Sequence, residues 1–254
     1  MTIDFRFSGL CLETPVGSVR KLHMKLRADQ SSLLGASALA LALQWVPMLR
    51  PLSLPFIYLN THIHELMHAV ATVLTGGVAA RIEVYADGSG VMYSAGGFMP
   101  IIASAGYMGS MLVGTGLLMA SRTPESARKA IGALVAILAV GSLLWLRGDL
   151  VGLLTALAWL AGLTVILKRA DAGAVRWTGQ FVGLLLVLAS WDAFRTLWAV
   201  SQTGSHSDAM NMQMSTGIPA IFWAGFWALL SVAATIWGLV QAWTNPQMKR
   251  KSSL

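Results

Sequence analysis

Residues 60–77 read NTHIHELMHAVATVLTGG and combine an apolar helical pattern with a cluster of ionisable side chains. On an α-helix, His64 and His68 are four positions apart and share a face, so both imidazoles can reach one metal ion. Glu65 lies beside them and can accept a proton from a water activated by that ion. This HExxH spacing is typical of zinc hydrolases. His62 points in another direction, and we expect it to lie outside the ligand set.

The rest of the chain is strongly apolar. Of its 254 residues, 56% are hydrophobic and 11% are charged, and the mean hydropathy is +0.64. Because an ordinary soluble domain carries roughly a quarter charged residues, this composition excludes a soluble enzyme, a disordered chain and a disulfide-rich secreted module. The single cysteine, Cys11, cannot form an internal disulfide. The composition therefore predicts a polytopic membrane protein.

Seven apolar stretches are long enough to enter or cross a bilayer. They cover residues 31–49, 52–75, 98–120, 127–146, 150–167, 175–200 and 217–243. We predict an all-α membrane protein with six to seven transmembrane helices. Its single membrane-embedded domain spans residues 31–243, between a polar N-terminal tail over residues 1–30 and a basic C-terminal tail over residues 244–254.

The distribution of basic residues favours the smaller number of crossings. If all seven stretches cross, lysines and arginines divide between both sides of the membrane. If the first two stretches make one net crossing, the N-terminal side holds most of them, and Arg81 and Arg147 remain opposite, as the positive-inside rule prefers. The net charge of +7 suits contact with an anionic lipid surface. The sequence has no long basic run with interleaved aromatics, so it does not indicate nucleic-acid binding.

One segment has the pattern of strands rather than a helix. Residues 81–94 alternate in polarity, with Ile82 and Val84 on one arm and Val91 on the other, and residues 87–90 read Asp-Gly-Ser-Gly. This pattern predicts a β-hairpin between the second and third apolar stretches. A plain connecting loop is the alternative.

A third zinc ligand must come from elsewhere in the chain, because two histidines do not complete a site. Asp192 lies within an apolar stretch, which favours a function, although Arg195 is placed to neutralise it. Asp208 precedes the last apolar stretch and could instead cap a helix. His206 and Asp149 are further candidates. Physical reasoning from the residues alone leaves these four open.

Several short motifs occur together with the histidine cluster in a characteristic order. They are HELMHA at 64–69, LTGG at 74–77, SGV at 89–91, AGY at 105–107, SDA at 207–209, TGIP at 216–219 and Trp223. In this order the chain resembles the site-2 protease family of intramembrane zinc metallopeptidases. More narrowly, it resembles the compact bacterial branch that lacks a PDZ domain.

The resemblance implies a zinc metalloendopeptidase that cleaves membrane proteins or peptides in or near the lipid bilayer of a bacterial inner membrane. It implies Glu65 as the general base and makes Asp208 the first choice for the third ligand beside the two histidines, with Asp192 as runner-up. In relatives, a β-element holds the unwound substrate as an added strand. The counterparts here are Val84, Gly90 and Val91.

Other functions remain compatible with the sequence. A non-proteolytic membrane scaffold or regulator would carry a structural or decayed metal site, and a structural zinc site usually has four protein ligands. A transporter with intramembrane histidines would favour repeated halves, and no internal repeat is visible. Another HExxH membrane enzyme, acting on prenylated or soluble proteins, is a further alternative, against which the hairpin and residues 207–209 argue mildly.

Overall fold

The computed structural model describes residues 26–200 and 207–244, with side chains described for all of these except residues 50 and 190–200. These residues form eight α-helices, a 3-10 helix at Pro47–Leu49 and two β-strands. In chain order the elements are α1 Ala28–Trp45, α2 Arg50–Leu74, β1 Val78–Val84, β2 Gly90–Ala95, α3 Met99–Ala120, α4 Pro124–Trp145, α5 Leu150–Arg169, α6 Ala172–Val200, α7 Asp208–Thr216 and α8 Ala220–Trp243. Most of the predicted N-terminal tail and almost all of the C-terminal tail lie outside the described residues.

The predicted fold class is confirmed. Within the described residues, five segments are long and apolar enough to cross a membrane: α3, α4, α5, the Ala172–Ala189 part of α6, and α8. The hairpin follows the HExxH helix, α2, as the alternation predicted. The first two apolar stretches form α1 and α2, which are not among the five.

Hydrogen bonds between helix termini define one end of the bundle. Arg27, just before α1, donates to the Trp243 carbonyl at 2.8 Å, and Arg122, just after α3, donates to the Thr244 carbonyl at 3.1 Å. Arg176, near the start of α6, donates to the first carbonyl of α1 at 3.3 Å. The starts of α1 and α6 therefore lie beside the ends of α3 and α8. We call this the basic end.

The opposite end carries the hairpin, and we call it the hairpin end. The backbone N–H of Phe98 donates to Thr75 Oγ1 at 3.1 Å, so α3 begins where α2 finishes. Because α3 finishes at the basic end, α2 must finish at the hairpin end. Helix α1 starts at the basic end, so α1 and α2 together make one net crossing. This arrangement agrees with the count favoured by the charges.

The outer edge of β1 is closed by the connection between α4 and α5. The Ile82 carbonyl accepts a hydrogen bond from the Arg147 backbone N–H at 3.2 Å. The Val84 backbone N–H donates to Asp149 Oδ2 at 2.9 Å. The side chains of Ile82 and Val84 are buried in the main apolar core. The hairpin is therefore fixed to the bundle through β1.

The turn of the hairpin is tied to the first half of α2. Tyr58 donates its hydroxyl to the Ala86 carbonyl at 2.7 Å, and Thr61 donates to the Gly88 carbonyl at 2.6 Å. The strands are antiparallel, with Val84 opposite Gly90 near the turn and Val78 opposite Ala95 at the base. The hairpin consequently lies along α2, over the turn that carries the histidines.

Helix α3 approaches α6 at a pair of glycines. A Cβ added to Gly114 would lie 2.7 Å from the Gly183 carbonyl oxygen, and one added to Gly183 would lie 2.7 Å from the Gly114 carbonyl oxygen. Only glycine permits this backbone separation, and small residues serve the same purpose generally in membrane helices. The contact holds α3 in place beneath the metal-ligand candidates.

We expect Gly114→Ala to destabilise the protein by about 1–3 kcal/mol, because the methyl group would force α3 and α6 apart. Gly116→Ala on the same helix is the matched control, since a Cβ there meets no atom within 4 Å. Thermal unfolding of detergent-purified protein measures both. Equal midpoints for the two variants would contradict the close contact.

Candidate metal centre

Three side chains from two distant segments converge at the hairpin end. His64 Nε2 lies 3.0 Å from Asp208 Oδ2, His68 Nε2 lies 3.2 Å from the same oxygen, and the two nitrogens are 3.0 Å apart. Among the described residues, these three side chains are a group of possible metal ligands, and their donor atoms all lie within 4.8 Å of one another. All three side chains are largely buried.

The dimensions of this triangle fit zinc. Ligand atoms about 2.0–2.1 Å from a tetrahedral zinc ion are about 3.3 Å from one another. The three separations of 3.0, 3.0 and 3.2 Å are close to that value and match one face of a tetrahedron. A site of this kind leaves the fourth corner free for water or substrate, as catalytic zinc sites do.

Asp208 reaches the histidines because α7 is held firmly at both ends. Its N-cap, Ser207, accepts a hydrogen bond from the Met210 backbone N–H at 3.2 Å. Its C-cap, Gly217, adopts φ of 74°, which suits glycine and allows the sharp turn into α8. Met212 is buried on the inner face of α7 among apolar residues of α3 and α8. This packing directs the first residue of α7 towards α2.

The two imidazoles are oriented by α3. His68 Nδ1 contacts the Ile102 carbonyl at 2.6 Å, so that nitrogen carries the proton and Nε2 keeps a lone pair for a metal. The His64 ring meets the Tyr107 ring edge to face at 4.6 Å, and Tyr107 in turn stacks on Trp227 at 5.0 Å. The hydrogen bond to the Ile102 carbonyl therefore orients His68, and the aromatic contact with Tyr107 orients His64.

Gly106 makes room for both imidazoles. A Cβ at this position would lie 2.5 Å from His64 Nε2 and 2.5 Å from His68 Nε2. In the sequence, Gly106, Ser110 and Gly114 recur every four residues, a spacing that also indicates helix packing in membranes, so the sequence alone did not assign Gly106 to the site. The signal that could have revealed it is the position of Gly106 within the AGY triplet shared with the site-2 protease pattern.

Backbone alternation determines which groups of β2 point away from β1. The Tyr85 backbone N–H donates to the Ser89 carbonyl at 2.8 Å, so this pair bonds within the hairpin. In an antiparallel ladder the next pair, Val84 with Gly90, points outwards, and so does the residue two further along, Met92. Gly90 and Met92 therefore present their backbone groups to the outer edge of β2.

This outer edge of β2 faces Glu65. The carboxylate is buried, and it lies near the Met92 backbone N–H. A Cβ at Gly90 would lie 3.2 Å from Glu65 Oε1 and 2.5 Å from Thr61 Cγ2. Glycine at position 90 thus lets the strand lie directly on the HExxH turn. By contrast, Val91 pairs with β1 opposite Glu83.

The remaining ligand candidates do not join the triangle within the described residues. His62 is buried, and its Nε2 contacts Thr155 Oγ1 on α5 at 2.9 Å. Asp149 caps the N-terminus of α5 and accepts the bond from β1. Asp192 belongs to α6, but its side chain lies outside the described part of the structure, as does all of His206.

The exposed face of the hairpin carries its own ion pair. Arg81 Nε donates to Glu83 Oε1 at 2.7 Å, and the Tyr85 hydroxyl donates to the other oxygen at 2.8 Å. The hydrogen bond from Arg81 is the largest cause, and that from Tyr85 the next, of a pKa of Glu83 that lies below its ordinary value. The positive charge of Arg81 and the negative charge of Glu83 therefore offset each other on the hairpin surface.

We expect Gly106→Ala to reduce bound zinc sharply, because its methyl group would overlap the donor nitrogens of both imidazoles. Gly116→Ala keeps the same helix and the same change in composition, and it should retain wild-type zinc. Metal content per chain after purification with added zinc is the measurement. Full zinc occupancy in Gly106→Ala would show that the site does not need this space.

Comparison with known proteins identifies a protein family. The family model described as Peptidase M50B-like matches residues 34–238, which include α2, the hairpin and Asp208. No curated protein and no solved structure matched the chain. The matched region is most of the sequence, so this integral membrane protein belongs to the Peptidase M50B-like family, a site-2 protease family of zinc metallopeptidases.

Proposed function

We propose that this chain is an intramembrane zinc metalloprotease that hydrolyses peptide bonds in or near the bilayer. The observation that carries the proposal is the triangle of two imidazole nitrogens and one carboxylate oxygen, with Glu65 on the same turn of α2. Membership of the family supports the same chemistry. The substrates are membrane proteins or peptides, and the location is the bacterial inner membrane.

In this proposal His64, His68 and Asp208 hold the zinc ion. Asp208 is preferred over the runner-up, Asp192, because its Oδ2 lies at hydrogen-bond distance from both imidazoles. When bound, zinc lowers the pKa of a water molecule and polarises a carbonyl oxygen. A structural site would need a fourth protein ligand. Among the described residues, the site offers three protein ligands, which favours catalysis over the scaffold alternative.

Glu65 moves the proton during hydrolysis. Its carboxylate accepts a proton from the attacking water, whose oxygen forms a bond to the scissile carbonyl carbon. It then returns that proton to the leaving nitrogen as the carbon–nitrogen bond breaks. The buried position of Glu65 beneath β2 keeps bulk water from this transfer.

The edge of β2 is the part of the hairpin that we propose for substrate. A transmembrane segment must unwind before its peptide bonds are accessible, and an added strand satisfies the freed backbone groups. Val84 donates its N–H to Asp149, so the edge of β1 is already occupied. Gly90 and Met92 remain, and their outward backbone groups lie beside Glu65.

We expect Glu65→Gln to retain zinc and to lose cleavage by about 10²–10⁴-fold, because the amide cannot accept the proton. Asp208→Ala should lose both zinc and cleavage. Asp149→Ala removes a carboxylate outside the triangle and should keep its zinc. Metal content and cleavage of labelled casein in detergent measure these effects. Absence of zinc from wild-type protein supplied with zinc would refute the metalloprotease proposal.

We expect Met92→Pro to slow cleavage while zinc content and the melting temperature stay unchanged. Proline removes an outward N–H, so the ladder between β1 and β2 keeps its bonds. Val84→Pro is the comparison, since it removes the bond to Asp149 and should lower the melting temperature as well. Wild-type cleavage by Met92→Pro would exclude the edge of β2 from substrate binding.

A further inference from the structure

Residues 146–155 bond to the hairpin on one side and to α2 on the other. They comprise the connection after α4 and the first part of α5, and we call them the linking segment. Leu146 forms an isolated parallel bridge with Ile82 of β1. The Arg147 backbone N–H donates to the Ile82 carbonyl at 3.2 Å. The linking segment therefore begins beside β1 in the position of a third strand.

Asp149 bonds to β1 and to α5 at once, because both oxygens of its carboxylate accept hydrogen bonds. Oδ2 accepts from the Val84 backbone N–H at 2.9 Å. Oδ1 accepts from the Gly152 backbone N–H and so caps α5. Gly148 adopts φ of 93°, a left-handed conformation that suits glycine and permits the tight turn before Asp149. One side chain thus joins the start of α5 to the hairpin.

The other side of the linking segment bonds to α2, just before the metal-ligand candidates. His62 is buried, and its Nε2 lies 2.9 Å from Thr155 Oγ1. The Thr155 hydroxyl donates to the Val151 carbonyl at 2.8 Å, so its oxygen accepts from a protonated His62 Nε2. His62 precedes His64 by two residues. The linking segment is therefore fixed to the same part of α2 that carries the candidate metal centre.

The hairpin lies on Glu65 with very little clearance. A Cβ added to Gly90 of β2 would lie 3.2 Å from Glu65 Oε1. In the ladder, Gly90 is opposite Val84, the residue of β1 that bonds to Asp149. The residue that Asp149 holds is thus the direct partner of the residue that lies on Glu65. A displacement of Val84 would move Gly90 with it.

From these contacts we infer that Asp149 is a positioning residue, which sets the height of the edge of β2 above Glu65, and that His62 fixes the linking segment to α2. The inference rests on the proposed function, because the strand that β2 would hold is the substrate. The same height would place the scissile carbonyl relative to Glu65. A misplacement of about 1 Å from the productive geometry can slow a reaction about 10²-fold.

The variant Asp149→Asn tests this role. An amide has one acceptor oxygen, so asparagine can serve Gly152 or Val84 but not both. We expect kcat for cleavage of labelled casein in detergent to fall by about 10²-fold, as for a displaced substrate. KM and zinc content should stay at their wild-type values, because the edge of β2 and the metal ligands are both retained.

Asp171→Asn is the matched control, since it makes the same change in charge. Asp171 caps α6 through one oxygen, which accepts from the Ala174 backbone N–H at 2.8 Å, and among the described residues it bonds to no strand. Asparagine can keep that single bond, so Asp171→Asn should cleave like wild type. Equal kcat values for Asp149→Asn and Asp171→Asn would overturn the inference.

A double-mutant cycle separates positioning from a general loss of structure. In Val84→Pro the N–H that Asp149 binds is absent, and an asparagine at position 149 would then have only Gly152 to serve. Adding Asp149→Asn to Val84→Pro should therefore lower kcat no further. Fully additive losses would show that Asp149 does not act through Val84 and would contradict the proposed role.

Thr155→Val tests the contact with α2, because it removes the acceptor of His62 with almost no change in size. It should lower kcat while zinc content stays unchanged. Thr235→Val is its control. The Thr235 hydroxyl donates to the Ser231 carbonyl of its own helix at 2.7 Å, and among the described residues it accepts no bond from another helix. Wild-type kcat in Thr155→Val would exclude His62 from positioning the hairpin.

Hydrogen exchange measured by mass spectrometry gives a readout that does not depend on catalysis. The peptide that covers β1 should exchange faster in Asp149→Asn than in wild type and at the wild-type rate in Asp171→Asn. Unchanged exchange in Asp149→Asn would overturn the inference even if kcat fell. Absence of cleavage by zinc-loaded wild-type protein would instead refute the proposed protease, so the two failures are distinguishable.

Discussion

Burying ionisable groups within a membrane protein is the constraint on which the rest of this structure depends. On insertion scales each charged side chain in a membrane helix costs about 2.5–3.5 kcal/mol, so a cluster of them needs partners. His64 and His68 find theirs in each other and in Asp208. Glu65 lies against β2, beside Gly90 and the Met92 backbone N–H. The central position of α3, the short helix α7 and the hairpin all follow from the need to supply these partners.

The same constraint applies to the backbone of the hairpin. A strand edge in an apolar environment leaves N–H and C=O groups that water cannot satisfy. The connection between α4 and α5 satisfies β1, through Arg147 and Asp149. On β2, the outward backbone groups of Gly90 and Met92 lie beside Glu65. An incoming peptide strand can pair with this edge, which places the unmet hydrogen-bonding capacity of β2 directly beside the residue that must be free to accept a proton.

The sequence predicts the local features of this site well and the distant ones poorly. The i, i+4 histidines and the alternation around Asp-Gly-Ser-Gly are short-range patterns, and both elements form as expected. Asp208 lies 144 residues from His64, and residue physics alone could not separate it from Asp149. Gly106 was not recognised because a glycine that admits a neighbouring helix and one that admits two imidazoles have the same helical spacing.

Most basic side chains that the structure describes lie at the basic end, and this distribution has a chemical consequence. A guanidinium beside Glu65 or Asp208 would form a charge-assisted hydrogen bond with the carboxylate and compete with a metal ion or a transferred proton for it. At the hairpin end both described arginines are engaged elsewhere, Arg81 with Glu83 and Arg147 with the carbonyls of Leu143 and Leu144. Among the side chains that the structure describes, the other basic residues lie at the basic end, where they can meet an anionic lipid surface without weakening the carboxylates at the site. The positions of the charges and of the metal centre are therefore two results of one arrangement.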